Sequence, residues 1–222
     1  NILWLLVPFM STVFGLLIAV LADNVRWGTI VKSLIFLPMA ISFIGASVIW
    51  RFIYYYKGPG EQIGLLNAIV VAFGGEPQAW MTVQPWNNFL LMIILIWVQT
   101  GFAMVLLSAA LRGVPEETKE AARIDGANEI VLFFQIIVPQ IMSTILVVLT
   151  TITITVLKVF DIVQAMTNGQ NGTQVMANLM FNQSVRNFDV GRGAVVSVVL
   201  LVAVVPILVW NLRQFQQQEQ TR

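Results

Sequence analysis

The sequence predicts an all-α polytopic membrane protein with about five transmembrane helices, on three observations. First, 58% of the 222 residues are hydrophobic and only 10% are charged, where soluble chains carry roughly 25% charged residues. A core of this size has no room for so much apolar surface, so lipid must solvate a large part of it. Second, charge-poor segments near 2–22, 33–53, 88–111, 130–157 and 193–212 each reach the ~20 helical residues needed to cross about 30 Å of hydrocarbon. Third, these runs are continuously apolar rather than alternating with period two, which selects helices over barrel strands.

Composition also removes function classes. A formal net charge of +1 supplies no basic excess for neutralising phosphates, so nucleic acid is not a partner. Cysteine and histidine are absent. That eliminates disulfides, thiolate and imidazole metal sites, Cys-His nucleophiles and histidine proton relays.

Along the chain, the first span carries Pro8, the second Pro38, the fourth Pro139 and the fifth Pro206. Each ring can set a kink whose freed carbonyls neighbouring helices satisfy. Asp23 to Lys32 is a short polar connection. Residues 54–87 form a longer one, with Tyr54, Tyr55, Tyr56, Gly58, Pro59, Gly60, Gly74, Gly75, Trp80 and Trp86, a mixture of turn residues and interfacial aromatics. Residues 158–192 form the other long connection, with a turn expected at Asn168-Gly-Gln-Asn-Gly172. Short surface helices are expected in both long connections. The connection at 112–129 is a compact charged island between the third and fourth spans.

Alternation of sides places 23–32, 112–129 and the amide-rich tail Gln214 to Gln220 on one face. That face holds Arg26, Lys32, Arg112, Lys119, Arg123, Arg213 and Arg222, against Arg51, Lys57, Lys158, Arg186 and Arg192 on the other. The bias is small and favours a cytoplasmic island. Because Asn1 opens directly on an apolar span, a further leading helix is expected before it, and no signal peptide pattern is present.

The island Arg112-Gly-Val-Pro-Glu-Glu-Thr-Lys-Glu-Ala-Ala-Arg-Ile-Asp-Gly126 carries both ends of one short helix. Pro115 is expected at the first helical position, Glu116 and Glu117 in the first turn, and Gly126 just past the end. About eleven such residues make a helix ~16 Å long, too short to span a bilayer. Asn128 is placed to cap a second helix from Glu129 that runs into the fourth span past Pro139. Gly126 is then a corner between a surface helix and a membrane helix, where positive φ favours a residue without Cβ. Ala121 and Ala122 offer a small-residue face for close approach of another protein, ringed by Glu117, Glu120, Arg123 and Asp125. A solvated loop held by a local Glu120–Arg123 pair is the bland alternative.

Glu120, Ala121, Ala122, Gly126, nine further residues and then Ile136-Ile-Val-Pro139 resemble the coupling loop of ABC-importer permeases, with Val138 in place of the usual Leu. Phe36-Leu-Pro38, Gly64-Leu-Leu-Asn67, Val159-Phe-Asp161 and Met166-Thr-Asn-Gly169 are similar to the maltose and α-glucoside branch. The resemblance implies one permease domain over 1–222, with the coupling loop at 112–139 and a sixth, leading helix outside the sequence. It implies a bacterial or archaeal cell membrane, a second permease subunit, a dimer of cytoplasmic ABC ATPases and an extracytoplasmic solute-binding protein. The cargo implied is a sugar or oligosaccharide. This chain lacks the Gly-x-x-x-x-Gly-Lys-Ser/Thr phosphate loop, so it is not the catalyst. No cofactor is expected on it, and ATP and Mg belong to the partner ATPases.

Candidate solute contacts are Asn88, Gln99, Thr100, Thr151, Thr155 and Lys158, with Asn87 and Thr153 beside them. Hydroxyl and amide side chains in spans more often bond to the i−4 carbonyl or across helices. Lys158 and Asp161 are expected one helical turn apart at the outer end of the fourth span, where a snorkelling lysine paired with a nearby acid is the simpler reading. Trp50, Tyr54, Tyr55, Trp80, Trp86 and Trp97 suit either sugar stacking or an interfacial belt. Arg186, Asp189 and Arg192 suit either a protein contact or a solvated loop. Other importer cargoes such as glycerol phosphate or a polyol stay open. A free-standing secondary transporter is the competing class; it would need ion-coupling groups near the midplane, and charged residues avoid the span centres.

Overall fold

The computed structural model describes residues 1–23, 25–58 and 60–220, the side chains of 211–220 excepted. Arg213 and Arg222 therefore lie outside the described side chains. Helices run in the order α1 (Leu6–Asp23, preceded by a 3-10 turn at Leu3–Leu5), α2 (Gly28–Phe36), α3 (Phe43–Ile53), α4 (Leu65–Ala72), α5 (Trp86–Arg112) and α6 (Glu116–Ile124). They continue as α7 (Glu129–Val131), α8 (Val138–Gln140), α9 (Met142–Leu157), α10 (Asp161–Met166), α11 (Met176–Phe181) and α12 (Val190–Gln220). No strand occurs among the described residues.

Three helices are long and apolar enough to cross a membrane, Leu3–Asp23, Trp86–Arg112 and Val190–Trp210. The count rises to 5 if each of two bent pairs is one span. Five spans with proline-linked bends are what the sequence leads us to expect; the size of the bends is new. The segment 33–53 starts earlier, at Gly28, and is bent by 106° between its two limbs. Pro38 enters a 3-10 turn at Leu37–Ala40, Ile41 is extended (φ −93°, ψ 137°), and Ser42 opens a new helix by accepting the Gly45 N–H at 3.0 Å. A ring that cannot donate, followed by a side-chain cap, ends one helix and starts another. In the fourth span a π-helical stretch at Leu132–Ile137 and a break at Ile141 after Pro139 bend the two limbs by 67°.

Helix α5 is the central post, with Leu91, Ile94, Leu95, Met104 and Leu107 fully buried. Small residues let its neighbours approach closely. A Cβ on Gly15 of α1 would lie 2.5 Å from the Ala103 Cβ, and one on Gly101 would lie 2.6 Å from the Ile35 carbonyl oxygen of α2. Membrane helices lack a hydrophobic drive toward one another, so such contacts must supply association through packing. Helix α12 leaves most of its side chains up to Trp210 uncovered, with Val195, Val198, Leu201, Val202 and Val205 all exposed.

The long connections form short helices as expected, α4 in the first and α10 and α11 in the second. The turn at 168–172 has positive φ at Asn168, Gly169, Asn171 and Gly172. Amides join the two connections: Asn87 donates to the Asn171 carbonyl at 2.7 Å and Asn88 to the Gly172 carbonyl at 3.2 Å. Fully buried Asn67 organises the first connection, donating to the Tyr55 and Gln78 carbonyls and accepting from the Gln78 N–H and Trp80 Nε1.

Substituting Gly15→Val forces methyl groups into the α5 backbone, and overpacking of this kind costs about 1–3 kcal/mol. Thermal unfolding of the purified protein in detergent should therefore shift downward for Gly15→Val. Gly191→Ala, whose Cβ meets only Asp189 Oδ1 at 3.5 Å, should leave the transition in place.

Candidate functional site

The charged island builds a surface helix followed by a corner. Pro115 is not its first helical residue as expected; its ψ of 136° makes it the cap before Glu116. The helix spans nine residues, Glu116–Ile124, none of them buried, and is ~14 Å long at 1.5 Å per residue. Its end is a double backbone cap around Gly126 at φ +88°. The Gly126 N–H donates to the Arg123 carbonyl at 3.1 Å and the Ala127 N–H to the Ala122 carbonyl at 3.0 Å, the Schellman pattern that a left-handed residue permits. Asn128 then caps the exit limb by accepting the Val131 N–H at 2.9 Å.

Arg123 binds across the corner. Its Nε donates to Glu129 Oε1 at 3.0 Å and its Nη1 lies 3.8 Å from Glu116 Oε1. In place of the local Glu120–Arg123 pair of the solvated-loop alternative, Arg123 makes one that ties α6 to α7, because the turn at Gly126 brings Glu129 alongside. Lys119 Nζ donates to Glu116 Oε2 at 2.9 Å. That hydrogen bond holds the Glu116 carboxyl below the usual carboxylate range, while Glu129 raises the Arg123 guanidinium further. Glu117, Glu120, Ala121, Asp125 and Gly126 stay exposed, Ala122 is half-buried, and Ile124 is 86% exposed at the tip. Pro139 lies on the exit limb just before the 67° bend.

The candidate solute residues do not form one site. Thr155 and Lys158 line a cavity of about 210 Å³ together with Asp161, Phe43 and Phe160. Lys158 ends α9 whereas Asp161 opens α10. The two are therefore not one turn apart on a helix, because helical geometry is interrupted at Val159–Phe160, and no ion pair joins them among the described residues. Thr100 bonds back to the Ile96 carbonyl at 2.7 Å and borders a separate apolar cavity of about 600 Å³ with Trp50 and Trp97. Thr153 and Thr155 bond back to Leu149 and Thr151. Thr151 contributes its carbonyl to that bond, and its side chain is half-buried, as is Gln99. Asn88 and fully buried Asn87 serve the outer connections. Trp50 packs tilted against Tyr54 and edge-to-face against Trp97, at 5.2 and 5.8 Å between ring centroids, and burial pushes the Tyr54 hydroxyl to a higher pKa.

One cluster was not anticipated. Asp23 at the end of α1 accepts Lys32 Nζ of α2 at 2.6 Å and Arg112 Nη2 at the end of α5 at 3.0 Å. Ser108 Oγ lies 3.3 Å from its other oxygen and also receives Lys32. The available signal was a lone carboxylate closing an apolar span with cations near the starts or ends of two others.

Residues 11–218 match the family described as binding-protein-dependent transport system inner membrane component. The chain is 68% identical to an alpha-glucoside transport system permease protein of Rhizobium meliloti over 96% of its own length and 64% of the relative's. It is 54% identical to an osmoprotective compounds uptake permease protein of Synechocystis over 100% of its length and 80% of the relative's. The chain thus spans less than two thirds of the length of the first of these relatives. In fold it is similar to a chain of a bacterial alginate ABC transporter solved with a pentasaccharide-bound periplasmic protein, with a TM-score of 0.80 at 18% identity, covering 94% of this chain and 74% of that one. Given the family match over nearly its whole length, the chain belongs to the binding-protein-dependent transport system inner membrane components.

Proposed function

We propose that this chain is a permease subunit of an ATP-binding-cassette importer for a sugar or short oligosaccharide. The observation that carries the reading is the exposed helix Glu116–Ile124, closed by Gly126 and tied to the exit limb through Arg123–Glu129. A helix with no buried residue and an exposed isoleucine at its tip suits a protein partner better than water. The relatives named as sugar and osmoprotectant uptake permeases support the importer class and the cargo. The partners are a dimer of cytoplasmic ABC ATPases that bind ATP and Mg, a second permease subunit and an extracytoplasmic binding protein, in a bacterial or archaeal cell membrane.

Mechanistically, α6 transmits displacement because it is stiff on both sides. Nine helical residues, a double backbone cap and an ion pair spanning the corner leave few soft torsions between the docking face and α7. ATP-driven closure of the ATPases favours an outward-facing arrangement, and product release restores the inward-facing one. The small cavity bounded by Thr155, Lys158, Asp161, Phe43 and Phe160 supplies a cation, a carboxylate, a hydroxyl and two rings, a set suited to one hydroxylated ring. A polyol or related osmoprotectant is the second reading, favoured by the Synechocystis relative.

Proteoliposomes holding the complete complex should take up a sugar from a screened panel only when ATP is supplied, and uptake without any ATPase partner would overturn the importer reading. Gly126→Pro cannot adopt φ +88° and loses the N–H that caps the helix. It should leave the complex assembled and hydrolysing ATP while abolishing uptake, and normal uptake would refute the corner's role. Lys158→Met should weaken apparent solute affinity ~10-fold, the loss of one charge-assisted hydrogen bond. An unchanged affinity would return Lys158 to the status of an interfacial lysine.

A further inference from the structure

We propose that Asp23 is a positioning residue of the coupling machinery: its carboxylate is the joint through which displacement of the coupling helix reaches α2 and the bent span. The inference rests on the coupling reading above. Arg112 is separated from the coupling helix by only Gly113, Val114 and Pro115, and Val114 is buried. Its guanidinium donates to Asp23 Oδ1, which also receives Lys32 Nζ. One carboxylate therefore ties the end of α1, the middle of α2 and the end of α5 together.

The joint also faces the coupling segment directly. Asp23 and Arg112 border a cavity of about 200 Å³ with Lys119 of the coupling helix and with Phe133 and Ile137 of the exit limb. Beyond Lys32, α2 leads through the break at Ile41 to α3, whose first residue Phe43 borders the candidate solute cavity. A continuous series of packed elements thus connects the docking face to the place where solute is proposed to sit, with the ion-paired node at its base. Transmission of this kind requires a contact that stays closed while its neighbours move.

The two cations are not equally dependent on the carboxylate. The Lys32 side chain is 16% exposed and that of Arg112 is 68% exposed. Removing the negative charge leaves Lys32 a poorly solvated cation without a counter-charge, whereas Arg112 turns to water. Loss of the carboxylate therefore frees α2 from the node, and loss of Arg112 alone leaves the α1–α2 link in place.

The test measures solute transported per ATP hydrolysed by the full complex in proteoliposomes, for wild type, Asp23→Asn, Asp23→Glu and Arg112→Met. A merely structural role lowers the amount of assembled complex without changing this ratio. For Asp23→Asn the ratio should fall at least about five-fold, the lower bound of an ordinary coupling between sites. Asp23→Glu should restore it, and Arg112→Met should lower it less than Asp23→Asn. A wild-type ratio in Asp23→Asn overturns the joint and leaves the importer reading intact. Absence of ATP-driven uptake in the wild type overturns that reading itself. If Asp23→Asn fails to assemble, Arg112→Met decides, and a wild-type ratio there overturns the joint.

Discussion

Hydrocarbon offers no water to a backbone N–H or C=O, so wherever this chain leaves helical geometry at membrane depth it must provide its own partners. That constraint governs where the spans break. The gap left by Pro38 and Ile41 is closed by the Ser42 cap on Gly45, and Arg51 donates to the Ala165 carbonyl where α10 ends. Within the spans, Thr12, Ser47, Thr100 and Thr150 return their hydroxyls to carbonyls one turn earlier. The breaks are thus discrete and capped, and the limbs between them are stiff.

Stiff limbs with sharp, capped corners suit a mechanical role better than a chemical one. Helix α6 is joined to α7 by a left-handed glycine, two backbone hydrogen bonds and the Arg123–Glu129 pair. Its root is held to α1 and α2 through Asp23. Ion pairs among the described residues concentrate on this face, with Arg192–Asp189 on the other, and the opposite face is held largely by amides such as Asn67, Asn87 and Asn88. Neutral amides suit that face because the two long connections need many hydrogen bonds in fixed geometry and no counter-charge.

The charged island at 112–129 was the most legible part of the chain. Proline before a helix, acids in its first turn, glycine after its end and asparagine at the next cap are local signals, read within a few residues. Gly126 and Asn128 take the expected roles for that reason. Pro115 was placed less well, because its position depends on ψ at one residue, and the Arg123–Glu129 pair could not be foreseen because it depends on where the corner swings Glu129. The solute residues were the least legible. Hydroxyls in apolar helices look alike in sequence, and Thr100 and Thr155 both bond back one turn; only their neighbours distinguish Thr100 beside an apolar cavity from Thr155 beside one that also holds Lys158 and Asp161.

By itself the sequence determined the all-helical membrane class, the approximate spans and the short surface helix at Glu116–Ile124, because apolar run length and capping residues act locally. Tertiary structure alone decided that the second span turns by 106° and that Lys158 and Asp161 belong to separate helices around one cavity. It also decided that Asp23, Lys32, Ser108 and Arg112 meet. These outcomes depend on which helices lie side by side, and residues as far apart in the chain as Asp23 and Arg112 are brought within 3.0 Å only by close packing at glycines such as Gly15 and Gly101.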